Sequence, residues 1–252
     1  MKYVRYSYKQ NVSYGSLKND AITPLSEAPW GVDCIALDES IPLHNVVLKA
    51  PCLPGKVVCI ALNYPGITGA SAVDQEPLVF LKPSSSVIGP NEKIINPFKG
   101  VNVWGESELA IVIGKTLKNV GSIEAKNGIF GYCCANDVSA SNLGERDHHL
   151  ARSKAADTFC VLGPWVDTEF VPKSQTIQGY HNDILLREDK LSARFFKDVD
   201  LIKWLSSWMT LEPGDVVLTG APSRMREREF LQCGDNFRVL IEGLGELSNN
   251  YV

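Results

Sequence analysis

Long hydrophobic runs are missing from this sequence. No stretch approaches the ~18 consecutive apolar residues of a membrane-spanning helix, so no membrane partner is expected. Histidine is scarce, with four residues in 252, and no HExxH pattern occurs, which removes the zincin reading. GxGxxG, Walker A and GxSxG sequences are absent too, so nucleotide-binding and α/β-hydrolase readings lack their motifs. There is no basic block. Lys and Arg number 25 against 29 Asp and Glu, a net charge of −4. A nucleic-acid binder needs concentrated positive surface, so no nucleic-acid partner is expected. Cysteine pairs of the CxxC type are also absent. The seven cysteines are an odd number, and Cys59, Cys133, Cys134 and Cys160 sit inside apolar runs, where a thiol behaves as a small hydrophobe. This usage predicts free thiols in a reducing, cytoplasmic compartment. The opening residues 1–6 alternate and lack the apolar core of a signal peptide.

Hydrophobic residues make up 44% and charged residues 21%, an ordinary globular mix. The length predicts one large domain or a domain with a small appendage. Residues 3–8 alternate and are β-branched or aromatic, which predicts a strand, and residues 18–20 read as a turn between two strands. Pro24, Pro29, Pro42, Pro51 and Pro54 then punctuate a loop-rich stretch. Residues 1–54 are therefore assigned to a small N-terminal β subdomain and linker, and residues 55–252 to a larger domain.

From Lys56 the pattern changes. Residues 56–62 form an almost continuous apolar run, as expected of a strand buried on both faces. Further strands are predicted at 78–82, 108–114, 131–136, 216–219 and 237–241. A short helix is predicted at 123–130, broken at Gly128. A second, at 201–209, places Leu201, Leu205 and Trp208 on one face and stops at the Glu212-Pro213-Gly214-Asp215 turn. Residues 141–157 are polar and predict a loop or short helix over the site. Many short strands without regular βαβ alternation predict a mostly β or α+β architecture.

The sharpest chemical feature is Glu106-Ser107-Glu108 at the entrance to an apolar strand. Residues two apart in a strand share a face, so the two carboxylates converge. Alone, such a pair is ordinarily a solvated edge. Asp137 ends another apolar strand. If the two strands are neighbours, Glu106, Glu108 and Asp137 form an oxygen cage suited to Mg²⁺, Mn²⁺ or Ca²⁺.

The surrounding order is more specific. Pro54-Gly55-Lys56 leads to Asn63-Tyr64. Glu76-Pro77 leads to Lys82-Pro83. The acidic pair follows, then Ala135-Asn136-Asp137-Val138-Ser139-Ala140, Lys154, Gly163-Pro164-Trp165, Glu212-Pro213-Gly214-Asp215, Thr219-Gly220-Ala221-Pro222 and Glu242-Gly243-Leu244-Gly245. Over about residues 54–247 this series resembles the fumarylacetoacetate hydrolase family. The resemblance implies a fumarylacetoacetase-like β-sandwich roll, usually a homodimer, with one divalent metal per subunit, commonly Mg²⁺. It implies Glu106, Glu108 and Asp137 as metal ligands. Lys154 matches the active-site lysine near the metal, and Lys82 a lysine close to the substrate. Asn63, Tyr64, Thr219 and Gly220 stand at motif positions implied to bind substrate. The implied partner is a small-molecule 2-oxo or β-dicarbonyl acid.

The sequence also departs from the family. Ile67 stands where hydrolases and decarboxylases usually carry His, and Ala70 where they carry Glu; neither can move a proton. Ser141 replaces an arginine and Ala221 a threonine. After Pro222 a glycine-rich segment becomes Ser223-Arg224-Met225-Arg226-Glu227-Arg228-Glu229, whose alternating charges predict a solvated strand or loop, the alternative being that Arg224, Arg226 and Arg228 bind a carboxylate from a different direction. Glu145, Arg146, Asp147, His148 and His149 predict a solvated polar loop, and His181 a structural hairpin residue. The reading is a metal-dependent enzyme acting on a 2-oxo or β-dicarbonyl acid. Decarboxylation or enol–keto isomerisation stands ahead of hydrolysis, because neither requires an activated water. The more apolar pocket predicts a substrate less highly charged than fumarylacetoacetate. The alternative is a non-catalytic metal- or ligand-binding paralogue.

Overall fold

A computed structural model of the chain describes residues 1–67, 76–142 and 145–252. The N-terminal strands are β1 (Lys2–Tyr8), β2 (Asn11–Lys18), β3 (Ala21–Leu25), β4 (Ile41–Pro42) and β5 (Val47–Lys49). Next come β6 (Lys56–Ala61), β7 (Leu78–Pro83), β8 (Val87–Ile88), β9 (Val103–Trp104) and β10 (Ser107–Ile113). Helix α1 (Ser122–Gly128) precedes β11 (Ile129–Asp137) and β12 (Ser139–Ala140), and α2 (Ala151–Lys154) precedes β13 (Cys160–Asp167). The hairpin β14 (Thr176–His181) and β15 (Ile184–Lys190) leads to α3 (Asp198–Trp208). β16 (Val216–Leu218), β17 (Asn236–Ile241) and β18 (Gly245–Asn250) close the chain.

The architecture is mostly β, as the short apolar runs predict. A 12-stranded sheet follows the order β4-β3-β2-β1-β13-β11-β10-β16-β6-β7, with β5 and β8 as side branches on β1 and β13. A four-stranded sheet, β15-β14-β17-β18, packs across its centre, against β10, β11 and β13. The central strands are covered on both faces, and their sequences show why. Leu109, Ile111, Ile113 and Cys134 face one apolar layer with Ile177, Phe237, Val239 and Ile241 of the smaller sheet. Ala110, Val112, Cys133 and Ala135 face a second layer with Cys52, Cys59, Cys160 and Val216. Small side chains in this second layer suit a close-packed interior. All seven cysteines are free thiols. Burial pushes Cys133 and Cys160 each up to about 12, so they are inert filler.

The N-terminal strands join the main sheet, where β1 pairs with β13. One departure from the sequence reading is structural. Helix α3 begins at Asp198 and buries Leu201 and Leu205, but Trp208 is 48% exposed and stacks edge-on with Trp204 at 5.5 Å. The hairpin β14–β15 joins the fold through backbone pairing with β17 and through Ile177 and Leu186, which reach the core. Among the described residues, no helix is long and apolar enough to cross a membrane.

Candidate metal centre and active-site cavity

Strands β10 and β11 are antiparallel neighbours, with Ser107 opposite Asn136 and Glu108 opposite Ala135. The Asp137 N–H donates to the Glu106 carbonyl at 2.9 Å, so the register carries on past the strand end. Alternation then turns Glu106, Glu108 and Asp137 to one face, that of Ala110 and Ala135. One oxygen from each carboxylate lies within 4.8 Å of the others. Glu108 is 2% exposed and Asp137 1%.

Three cations hold this cluster. The Lys154 ammonium lies 2.8 Å from Glu106 Oε2 and 2.6 Å from Asp137 Oδ2. Lys82 Nζ lies 2.7 Å from Asp137 Oδ1, and Arg187 Nη2 lies 2.9 Å from Glu106 Oε1. Burial alone would raise Glu106, but Lys154 and Arg187 outweigh it and hold the carboxyl well below the usual range. Burial likewise disfavours the Lys154 ammonium, and Asp137 and Glu106 override it, so its pKa is raised. Glu108 differs. Burial, then Asp137 and Glu106, push its pKa well up, and its only short polar contact among the described residues is the Gly220 N–H at 2.6 Å. Asp137 Oδ1, despite its ion pair, receives no well-aligned hydrogen bond. Hard oxygen donors with one carboxylate lacking a cation fit a divalent ion, and these three residues would hold it.

The other site residues predicted from sequence separate into wall and frame. Lys82 is 1% exposed and spent on the frame: its ammonium donates to the Val138 carbonyl at 3.0 Å, to Phe159 O at 2.7 Å and to Lys154 O. Asn63 is buried, donating to Thr219 O at 2.8 Å and Phe196 O at 3.1 Å and accepting from the Phe196 N–H at 2.7 Å. The Thr219 hydroxyl donates to the Leu109 carbonyl at 2.9 Å. Tyr64 is buried, with its pKa raised by burial. Gly220 has φ +96°, and a Cβ there would sit 2.8 Å from the Asn63 Cβ. These four brace the floor from behind; none lines the cavity.

The cavity has a volume of about 400 Å³. Glu106, Glu108, Asp137 and Lys154 share its wall with Ile67, Phe80 and Ala221. Ile67 occupies the wall where the resemblance expects His, while Ala70 lies outside the described residues. His148 and His149 are exposed and do not line it. A larger groove of about 790 Å³, bounded by Lys2, Trp165 and Glu242, holds none of the three carboxylates.

Sequence reasoning missed Arg187. Arg187 is 5% exposed on β15, and its signal was a lone arginine following apolar Leu185 and Leu186 in a strand. Arg224, Arg226 and Arg228, expected in a solvated segment, line the cavity. The expectation of a more apolar pocket fails on this point: four guanidiniums, counting Arg187, line the cavity.

These features define a β-roll protein with an acidic metal-type centre, and comparison with known proteins gives the family. The family model described as Fumarylacetoacetate (FAA) hydrolase C-terminal matches residues 56–252, and one described as Rv2993c-like, N-terminal, matches residues 1–51. The chain belongs to the fumarylacetoacetate hydrolase family. It is 37% identical over 220 residues to "Oxaloacetate tautomerase fahd2, mitochondrial" of Xenopus laevis, covering 82% of this chain and 69% of that protein. It is similar to the structure of 5-carboxymethyl-2-hydroxymuconate delta-isomerase from Mycobacterium smegmatis, with TM-score 0.90, 36% identity and coverage of 100% and 99%. It is also similar to maleylpyruvate hydrolase from Sphingobium in complex with manganese(II) and pyruvate, with TM-score 0.80, 27% identity and coverage of 100% and 99%.

Proposed function

We propose that this chain is a divalent-metal-dependent enzyme that interconverts enol and keto forms of a small 2-oxo or β-dicarbonyl acid. The observation that carries the reading is the convergence of Glu106, Glu108 and Asp137 within 4.8 Å on the wall of a cavity that presents Ile67 in place of a water-activating histidine. Relatives named as a tautomerase and an isomerase support it.

Mg²⁺, or Mn²⁺ or Ca²⁺, held by the three carboxylates would polarise the substrate carbonyl and stabilise enolate charge. The chain supplies the rest. Among the described residues, Lys154 is the one amine on the cavity wall, and its ammonium is aimed by Glu106, Asp137 and the Ser139 hydroxyl at 2.5 Å. In this reading the ammonium gives a proton to the α-carbon and the amine recovers one from the enol hydroxyl, so Lys154 ends the step in the charge state in which it began. Lys82 and Arg187 fix the carboxylates in place. Ile67, Phe80 and Leu150 exclude water. With no dyad to activate water, isomerisation and decarboxylation stand ahead of hydrolytic C–C cleavage. We further propose one metal per subunit, a homodimer in the cytoplasm, and division of the chain into residues 1–54 and 55–252.

The test follows the enol absorbance of oxaloacetate by ultraviolet spectroscopy, with mass spectrometry to detect loss of CO₂. It compares EDTA-treated, Mg²⁺-reloaded and Glu106→Ala protein. The expected result is metal-dependent loss of the enol signal that Glu106→Ala abolishes without unfolding. Metal binding with no turnover of oxaloacetate, acylpyruvates or 2-hydroxydienoates would contradict catalysis and support the non-catalytic alternative.

A further inference from the structure

The chain from Pro222 to Asp235 crosses from β16 to β17 without a strand or helix, and part of it walls the cavity. Both ends of this crossing are tied down. At its start the Arg187 guanidinium donates to the Pro222 carbonyl, and the Met225 N–H donates to the Leu186 carbonyl at 2.9 Å. At its end the Leu231 N–H donates to Val103 O at 2.8 Å, and the Gln232 N–H to Asp235 Oδ2 at 2.7 Å. Between them, among the described residues, no backbone–backbone hydrogen bond joins residues 226–230 to the rest of the fold. Side chains hold this stretch instead. The Arg228 guanidinium lies 3.8 Å from the centroid of the Trp104 ring, and Phe230 meets the same ring edge-on at 6.1 Å. Glu229, which does not line the cavity, places its Oε2 3.3 Å from His181 Nδ1.

His181 ends β14, is 6% exposed, and has a carboxylate at each ring nitrogen: Nδ1 faces Glu229, and Nε2 lies 2.7 Å from Asp235 Oδ2. Burial opposes the ionisation of Asp235, but the Asn182 amide, the Gln232 N–H and His181 outweigh it and lower its pKa. Asp235 is therefore an acceptor. Carboxylates only accept, and a neutral imidazole carries one N–H. The shorter contact claims that proton for Nε2. A neutral ring would then turn the Nδ1 lone pair on the Glu229 carboxylate, and the two repel. Only the imidazolium meets both partners. The Glu229 side chain is 40% exposed, so it has water to turn into when the ring is neutral. The surroundings offer no substitute. Among the described residues, no lysine or arginine pairs with Glu229 or Asp235, and no third carboxylate pairs with the ring. The strand partners of His181, Ile184 and Phe237, are apolar, and Asp183 of the same hairpin is exposed.

We propose that His181 is a positioning residue whose imidazolium clamps Glu229 and so holds residues 226–230 in place as cavity wall, and that loss of its proton releases them. Histidine changes charge between about pH 5 and pH 8, so the clamp is closed on the acid side of that range and open on the alkaline side. The proposal rests on the reading of this cavity as the active site. The metal ligands and Lys154 stand on other elements, so the clamp acts on substrate binding and leaves the chemical step alone.

The test uses full-length, Mg²⁺-loaded protein as wild type, Glu229→Gln, His181→Asn and the double variant. Glu229→Gln removes one charge at a partly exposed position, so its melting temperature is expected to match the wild type. His181→Asn also empties a buried position and serves as the second variant. Enol–keto turnover of oxaloacetate is followed at about pH 6 and about pH 8.5. At the lower pH the KM of Glu229→Gln is expected to be about threefold above that of the wild type, the increment of one partly exposed ion pair, with kcat unchanged. At the higher pH the two KM values are expected to coincide. The double variant is expected to match His181→Asn, because the two residues act as one unit. Trypsin cutting after Arg226 and Arg228, read by mass spectrometry at about pH 6.5, is expected to be faster in Glu229→Gln than in the wild type. A KM ratio that is the same at both pH values overturns the proposal, as does a loss confined to kcat. If no form turns over oxaloacetate, the active-site reading falls, and trypsin alone decides the clamp: faster cutting in Glu229→Gln upholds it, and equal cutting overturns it.

Discussion

The Lys82 ammonium lies 2.7 Å from Asp137 Oδ1, with the lysine 1% exposed and its remaining hydrogen bonds given to backbone carbonyls. This lysine stands behind the carboxylate cluster, as part of the frame. Lys82→Met is therefore expected to lower folding stability by about 3–5 kcal/mol, the cost of removing one partner of a buried ion pair and leaving the Val138, Lys154 and Phe159 carbonyls without this donor. Denaturant unfolding measures the loss, and metal affinity is expected to fall with it.

Glu108 has no cationic partner, whereas Glu106 and Asp137 each have two. Glu108→Gln keeps the shape and still accepts from the Gly220 N–H. The metal-free variant is expected to melt no lower than metal-free wild type, while the rise in melting temperature on adding Mg²⁺ or Mn²⁺ disappears. Thermal melts with and without EDTA show both effects.

Asp147 ties down the turn that carries Lys154. It accepts from the Ser153 N–H at 2.6 Å and the Arg152 N–H at 3.1 Å. Partial burial opposes its ionisation, but the bonds from the Ser153 hydroxyl and backbone outweigh it and lower its pKa. A carboxyl depressed on folding adds stability above its unfolded pKa, near 4, and loses it as pH falls through the lower folded value. Asp147→Ala is expected to cost about 1 kcal/mol at pH 7 by loss of a helix-start acceptor. That difference is expected to shrink steadily below about pH 4, which melting curves across acid pH measure. Turnover is expected to fall as well, because Lys154 loses its support.

Gly220 couples the strand end to the cluster. Its φ of +96° and the 2.8 Å approach of a hypothetical Cβ to Asn63 leave no room for a side chain. Gly220→Ala is expected to destabilise by about 1–3 kcal/mol and to weaken metal binding through the displaced N–H at Glu108. Unfolding and metal titration of the same variant check the two effects together.

The acidic centre was legible in part from local rules, and the family resemblance joined Asp137 to the glutamate pair. A two-residue period puts Glu106 and Glu108 on one face, and the apolar run of residues 129–137 ends at Asp137. The central strands were legible for the same reason, as uninterrupted apolar runs. Arg187 was not, because its partner lies 81 residues away and only the packing of the small sheet on the large one joins them. The arginine segment misled because alternating charge in sequence does not say which side faces a cavity. Lys82 and Asn63 were legible as special positions, but their depth behind the wall depends on the carbonyls of other segments. The N-terminal strands revealed their own pairing and gave no sign of their attachment to β13.

Titration of EDTA-stripped protein with Mn²⁺ by calorimetry tests the central claim most directly. The account predicts one ion per chain, a site lost in Glu108→Gln and Asp137→Asn and retained in Arg226→Gln. An absence of binding, or binding that survives both carboxylate substitutions, would contradict it.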